Sequence, residues 1–108
     1  MKIDSYVKDI AAATTPEDLV ADAVATQPQY KFARQVHIHC PAGNTSDLIV
    51  GPKGRGGVGM TVVKGTTLIL PVPNGAGQAS RYDLREIVVK AGTNGDDVQI
   101  LLVGPTND

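Results

Sequence analysis

Two histidines, a lone cysteine and a glycine-rich loop are the features of this 108-residue chain whose residue types and spacing could do chemistry. His37-Ile38-His39 sets two imidazoles two residues apart. On an extended strand both project from one face, a geometry that can chelate a metal ion. A catalytic zinc site usually takes three protein ligands, however. The chain has only these two histidines, the next acid is Asp47 beyond a turn, and Cys40 alternates to the opposite face. The pair therefore reads as solvent-facing or as part of an interface. Cys40 as a nucleophile would need a base oriented by a third group, and on a strand His39 points away from it. A buried free thiol acting as a small hydrophobe is the expected state.

Gly54-Arg55-Gly56-Gly57-Val58-Gly59 spells G-x-G-x-x-G. Dinucleotide binding needs a helix N-terminus directly after the glycines to receive the pyrophosphate. Here Met60-Thr61-Val62-Val63-Lys64-Gly65 follows, which reads as a strand and a turn, and no acid stands about 20 residues on. No Gly-Lys-Ser/Thr closes a phosphate loop either. The stretch reads as a loop between strands, with Lys53 and Arg55 placed to meet an acidic partner. Asp96-Asp97 beside Gly95 serves turn geometry, and Arg81-Tyr82-Asp83 leads polar residues into a strand. None of these sets completes a catalytic constellation. The expectation is a structural or binding module, not an enzyme, with no cofactor.

The elements that must carry these residues change character near residue 30. Ile3, Tyr6, Val7 and Ile10 fall at i, i+3, i+4 and i+7, the spacing of one helix face. Thr15-Pro16-Glu17-Asp18 then supplies a cap, a first-turn proline and acids for the positive end of a helix dipole. Leu19, Val20, Ala23 and Val24 form a second stripe before Gln27-Pro28 stops it. The expectation is a helical N-terminal arm over residues 1–29 whose stripe of Ile3, Tyr6, Val7 and Ile10 packs at an interface, against another copy or a partner protein. Folding back onto its own sheet is the alternative. From Tyr30 the period becomes two. Strands are expected over 32–40, 48–50, 60–63, 67–72, 84–91 and 98–103, punctuated by turns at 41–44, 51–52, 64–65, 73–77 and 92–95. That pattern predicts a mainly β chain: an antiparallel β-sandwich or jelly-roll-like domain of about six strands over residues 30–108.

Composition agrees. With Tyr6, Tyr30, Phe32 and Tyr82 the only aromatics, the core must come from Val, Ile and Leu, which suit pleated sheets. A single cysteine excludes an internal disulfide framework, so the fold stands on packing. Net charge is −1, which gives no global field toward nucleic acid or an anionic membrane. Charge is uneven along the chain. Residues 1–29 carry two lysines against five acids, and 30–64 carry five bases against one acid. Residues 65–108 carry three bases against five acids, an alternation that suits contacts between complementary copies. Residues 1–13 contain Asp4 and Asp9 and read as no signal peptide, and no apolar run approaches a membrane span. The Asn44-Thr45-Ser46 sequon reads as chance in what is expected to be an intracellular product.

From Gln35 to Val103 the chain resembles a class of small tailed-phage virion proteins. The resemblance is carried by Asn44-Thr45-Ser46-Asp47-Leu48-Ile49-Val50-Gly51, by Lys64-Gly65-Thr66-Thr67-Leu68-Ile69-Leu70 and by Asp83-Leu84-Arg85-Glu86-Ile87-Val88-Val89. It implies a capsid cement or decoration protein, assembled in the host cytoplasm, that stabilises a phage head as a homo-oligomer bound to the major capsid protein. That coat protein is then the partner that the N-terminal stripe would meet. A neck or tail component of the same particle is a second possibility. His37 and His39 also resemble the first half of a cupin metal motif, which implies a metal or small-ligand binder. That family expects a following Glu and a third His on a later strand, and this sequence has neither.

Overall fold

The computed structural model describes residues 2–20, 30–55, 59–72 and 81–107. Their strands are β1 (Ile3–Asp9), β2 (Glu17–Asp18), β3 (Phe32–Ala33), β4 (Gln35–His39), β5 (Leu48–Pro52), β6 (Met60–Val62), β7 (Thr67–Leu70), β8 (Tyr82–Asp83), β9 (Ile87–Ala91) and β10 (Asp97–Val103). All pairings are antiparallel. One four-stranded sheet runs β1-β10-β4-β7, a second runs β2-β9-β5-β6, and β3 pairs with β8 in a short ladder. The chain is mainly β. The β1–β2, β4–β5, β6–β7 and β9–β10 connections each pass from one four-stranded sheet to the other.

The expected helical N-terminal segment is corrected by this topology. No α-helix occurs among the described residues, and Ile3–Asp9 forms a strand at the edge of the first sheet, in register with β10. The spacing i, i+3, i+4, i+7 is ambiguous, because in a strand it is two pairs on opposite faces. Tyr6 and Ile10 point inward at 9% and 1% exposure, while Ile3 and Val7 point outward. A helix of two turns is unstable alone, whereas the β10 ladder pairs every residue from Ile3 to Asp9 along one side of the strand. Glu17 and Asp18, expected in a helix's first turn, instead pair with Val89 and Val88 of β9. The rest of that expected helix, residues 21–29, lies outside the described residues.

One hydrophobic cluster is shared by both sheets. Tyr6 and Ile10, Val36, Ile38 and Cys40, and Val98, Ile100 and Leu102 meet Leu48, Val50, Val62, Val89 and Ala91, with Leu19 and Leu84 alongside. Each large side chain so buried stabilises the fold by roughly 1.5–3 kcal/mol. Tyr6 and Ile10 thus belong to the same core as the strands after residue 30.

Alternation holds along β4, with one break. Val36, Ile38 and Cys40 are buried as expected, but Ala33 is buried too, so the inward phase flips at the bend of Arg34. The expected strand 84–91 also divides. Leu84–Glu86 forms a 3-10 turn in which the Asp83 carboxylate accepts the Arg85 N–H, and β9 follows. A strand does follow the glycine-rich loop, as expected. Gly59, just before it, passes so close to Val50 that a Cβ there would strike the Val50 carbonyl. Residues 56–58 of that loop lie outside the described residues.

Two polar clusters fix the edges and one end. Lys8 points inward from β1 at 4% exposure and pairs at 3.2 Å with Glu17 of β2, linking the edge strands of the two sheets. Glu17 Oε2 also accepts the N–H groups of Ala11 and Ala12. At the loop end, the Asp96 carboxylate accepts the N–H groups of Thr45 and Ser46 and the Ser46 hydroxyl. Asn44 donates to the Asp97 carbonyl and accepts the Asp97 N–H, which leaves its amide, 8% exposed, no room for a glycan.

Candidate functional site

The register of the first sheet dictates what its outer face presents. Across the strands the outward positions form rows: Ile3, Val103 and Gln35; Ser5, Leu101, His37 and Ile69; Val7, Gln99, His39 and Thr67; and Asp9 with Asp97. Ile3, Val7 and Ile69 are 62%, 53% and 48% exposed, and Leu101 and Val103 are half-buried among them. The middle rows border a groove of about 410 Å³ that contains Ser5, Val7, Leu101, Gln99, His37, His39 and Thr67. On this face the exposed apolar side chains of Ile3, Val7 and Ile69 are interspersed with the polar Ser5, Gln99, His37, His39 and Thr67 that line the groove.

His37 and His39 stand together there, half-buried on one face of β4, as the sequence indicates. His39 Nδ1 lies 2.8 Å from Thr67 Oγ1. Among the described residues no group of three or more His, Cys, Asp or Glu is arranged to hold a metal ion. Cys40 is a buried free thiol on the opposite face. Burial pushes its thiol up from the usual range, against a hydrogen bond from Asn44 Nδ2 at 3.4 Å. Burial likewise raises the Tyr6 hydroxyl, which donates to the Leu19 carbonyl at 3.1 Å.

The six residues expected at an interface divide. Ile3 and Val7 are on the apolar outer face, whereas Tyr6 and Ile10 are in the chain's own core. Lys53 and Arg55 lie on the β5–β6 connection of the other sheet, where Lys53 pairs with Asp18 at 3.3 Å. Arg81 and Arg85 flank the Phe32 ring at 3.9 and 5.3 Å, and Tyr82 donates to the Pro71 carbonyl, so this segment ties down the β3–β8 ladder. Arg85 also holds the Asp83 carboxyl below the usual carboxylate range.

No family model, curated protein or solved structure matches the chain. No helix among the described residues is long and apolar enough to cross a membrane.

Ile69, Leu101 and Val103 were not singled out by their sequence context, yet a signal for them exists. Ile100-Leu101-Leu102-Val103 and Leu68-Ile69-Leu70 are apolar at both strand parities, so one set must lie outside the core. Asp96 carries no comparable signal. A turn aspartate and a buried carboxylate gathering three hydrogen bonds look alike until the Asn44-Thr45-Ser46 turn is brought against it.

Proposed function

We propose that this protein is a structural virion component, a capsid cement or decoration protein that stabilises a phage head by binding the major capsid protein. The observation that carries the reading is the exposed apolar face of the β1-β10-β4-β7 sheet, with Ile3, Val7 and Ile69 around the Leu101 groove. Such a face buries hydrocarbon against a partner without any chemistry. The resemblance of residues 35–103 to small tailed-phage virion proteins supports the same partner. The finer fold belongs to this proposal: the two strand orders, with the chain crossing repeatedly between the sheets, fit an eight-stranded jelly roll. That architecture serves viral capsid proteins as well as lectins and cupins. In this reading the protein acts as a homo-oligomer on the virion, after assembly in the host cytoplasm.

The test is co-sedimentation with heads built from the major capsid protein. Val7→Glu with Ile69→Glu is expected to leave the thermal midpoint within a few degrees of the parent and to weaken head binding at least tenfold, about 1.4 kcal/mol. Undiminished binding by a folded double variant refutes this docking face. Hundreds of copies per particle place the protein on the shell, whereas about six or twelve place it in the neck or tail.

A further inference from the structure

We propose that His37 and His39 bind one divalent transition-metal ion of the imidazole-preferring class, Cu(II), Ni(II) or Zn(II), on the floor of the outer-face groove. Both side chains leave the same face of β4, and both line the same cavity. Two residues along a strand span about 6.6 Å, which lets two imidazole nitrogens converge on one ion at roughly 2.0–2.1 Å each.

The neighbours favour ligation. His39 Nδ1 lies 2.8 Å from Thr67 Oγ1. In the tautomer whose Nδ1–H donates to that oxygen, Nε2 of the same ring carries the lone pair that a metal requires. Metal-binding histidines are commonly oriented in this way by a hydrogen bond from the other ring nitrogen. The register sets Gln99 directly opposite His39 and Leu101 opposite His37, so the adjoining strand offers an amide oxygen and hydrocarbon and no cation. Thr67 and Ile69 fill the opposite positions on β7. Two neutral imidazoles without carboxylate or thiolate select Cu(II), Ni(II) and Zn(II) over Mg(II), Ca(II) and Mn(II). The remaining coordination positions face the open groove and fall to water or to a donor from whatever docks there. The inference does not depend on the identity of that partner.

Calorimetric titration of the full chain, stripped with chelator, tests the site with each metal salt alone. The expected result is one equivalent of Cu(II), weaker binding of Ni(II) and Zn(II), and no Mg(II) heat. His37→Gln and His39→Gln should each weaken Cu(II) at least tenfold, and Thr67→Val severalfold, with the melting curve unchanged. Electron paramagnetic resonance of the Cu(II)-loaded parent protein, which needs no variant, should show coupling to imidazole nitrogens. Absence of that coupling, or Cu(II) binding retained when both histidines are replaced, overturns the proposal.

Discussion

On the outer face of the β1-β10-β4-β7 sheet the outward positions carry Ile3, Val7, Ile69 and Leu101. On the outer face of the β2-β9-β5-β6 sheet the equivalent positions carry Asp18, Thr61 and Lys90 beside Ile49 and Val88. Val88 is only 7% exposed and Ile49 is half-buried, and nearby Asp18 forms its exposed pair with Lys53. Both faces have the same pleat and belong to sheets with the same number of strands. They differ in whether the outward parity is finished for water. The second face is finished at these positions, and its open apolar side chains, Met60 and Val63, lie on and just past its edge strand β6. The first leaves large apolar side chains more than half open at Ile3 and Val7 on the outer face itself. That difference is what supports the proposed docking on the first face.

The sharpest way to break this contrast is to release the edge that presents Ile3 and Val7. Glu17→Ala leaves Lys8 buried without its counter-charge, and unfolding in urea should show a loss of about 3 kcal/mol or more. Hydrogen exchange should rise first along β1. Replacing both partners, Lys8→Met with Glu17→Leu, should recover stability to within about 1.5 kcal/mol of the parent. If Glu17→Ala alone costs almost nothing, the pair does not anchor that edge.

Asp96 joins the β9–β10 and β4–β5 connections, both of which cross between the sheets, so its loss should lower stability without discriminating between the faces. Asp96→Ala removes the acceptor of three hydrogen bonds and should cost about 1–3 kcal/mol. Burial alone would raise this carboxyl, but the hydrogen bonds from Ser46 and Thr45 outweigh it and hold it below the usual carboxylate range. A depressed carboxyl contributes stability above its unfolded value of about 3.9, and loses it as pH falls through the folded value. Acid unfolding should therefore steepen below about pH 4, and Asp96→Asn should flatten that limb. Asp97 has the opposite sign. Its hydrogen bond with Asp9, opposite it in register, raises its carboxyl, so it opposes folding once ionised. Asp97→Asn should gain a few tenths of a kcal/mol at neutral pH. An unchanged acid limb in Asp96→Asn would remove the carboxylate from the account.

The smallest effect belongs to the water-finished face. Lys53 and Asp18 are 52% and 47% exposed, and Asp18→Asn should change stability by less than about 0.5 kcal/mol and head binding by less than about twofold. A large loss of head binding in that variant would move the docking site to the second sheet.

Sequence alone determined most of the strands from Phe32 onward, the turns at 41–44, 64–65 and 92–95, the shared face of His37 and His39, and the inward Cys40. In each case the alternation of a half-buried strand assigns a side chain to one of two faces by parity, and glycine or proline marks where that parity can reset. The expected turn at 51–52, in contrast, is part of β5, and the one at 73–77 lies outside the described residues. Tertiary structure decided the rest. Ile3, Tyr6, Val7 and Ile10 satisfy a helix face and a two-faced strand equally well, and only an open edge on β10 selects the strand. The inward placement of Lys8 needs Glu17 across the gap between sheets, and the burial of Asp96 needs the turn at Asn44. Local spacing reports which residues can share a face. Whether that face meets core, water or a partner depends on residues far away in the chain, and no local pattern contains them.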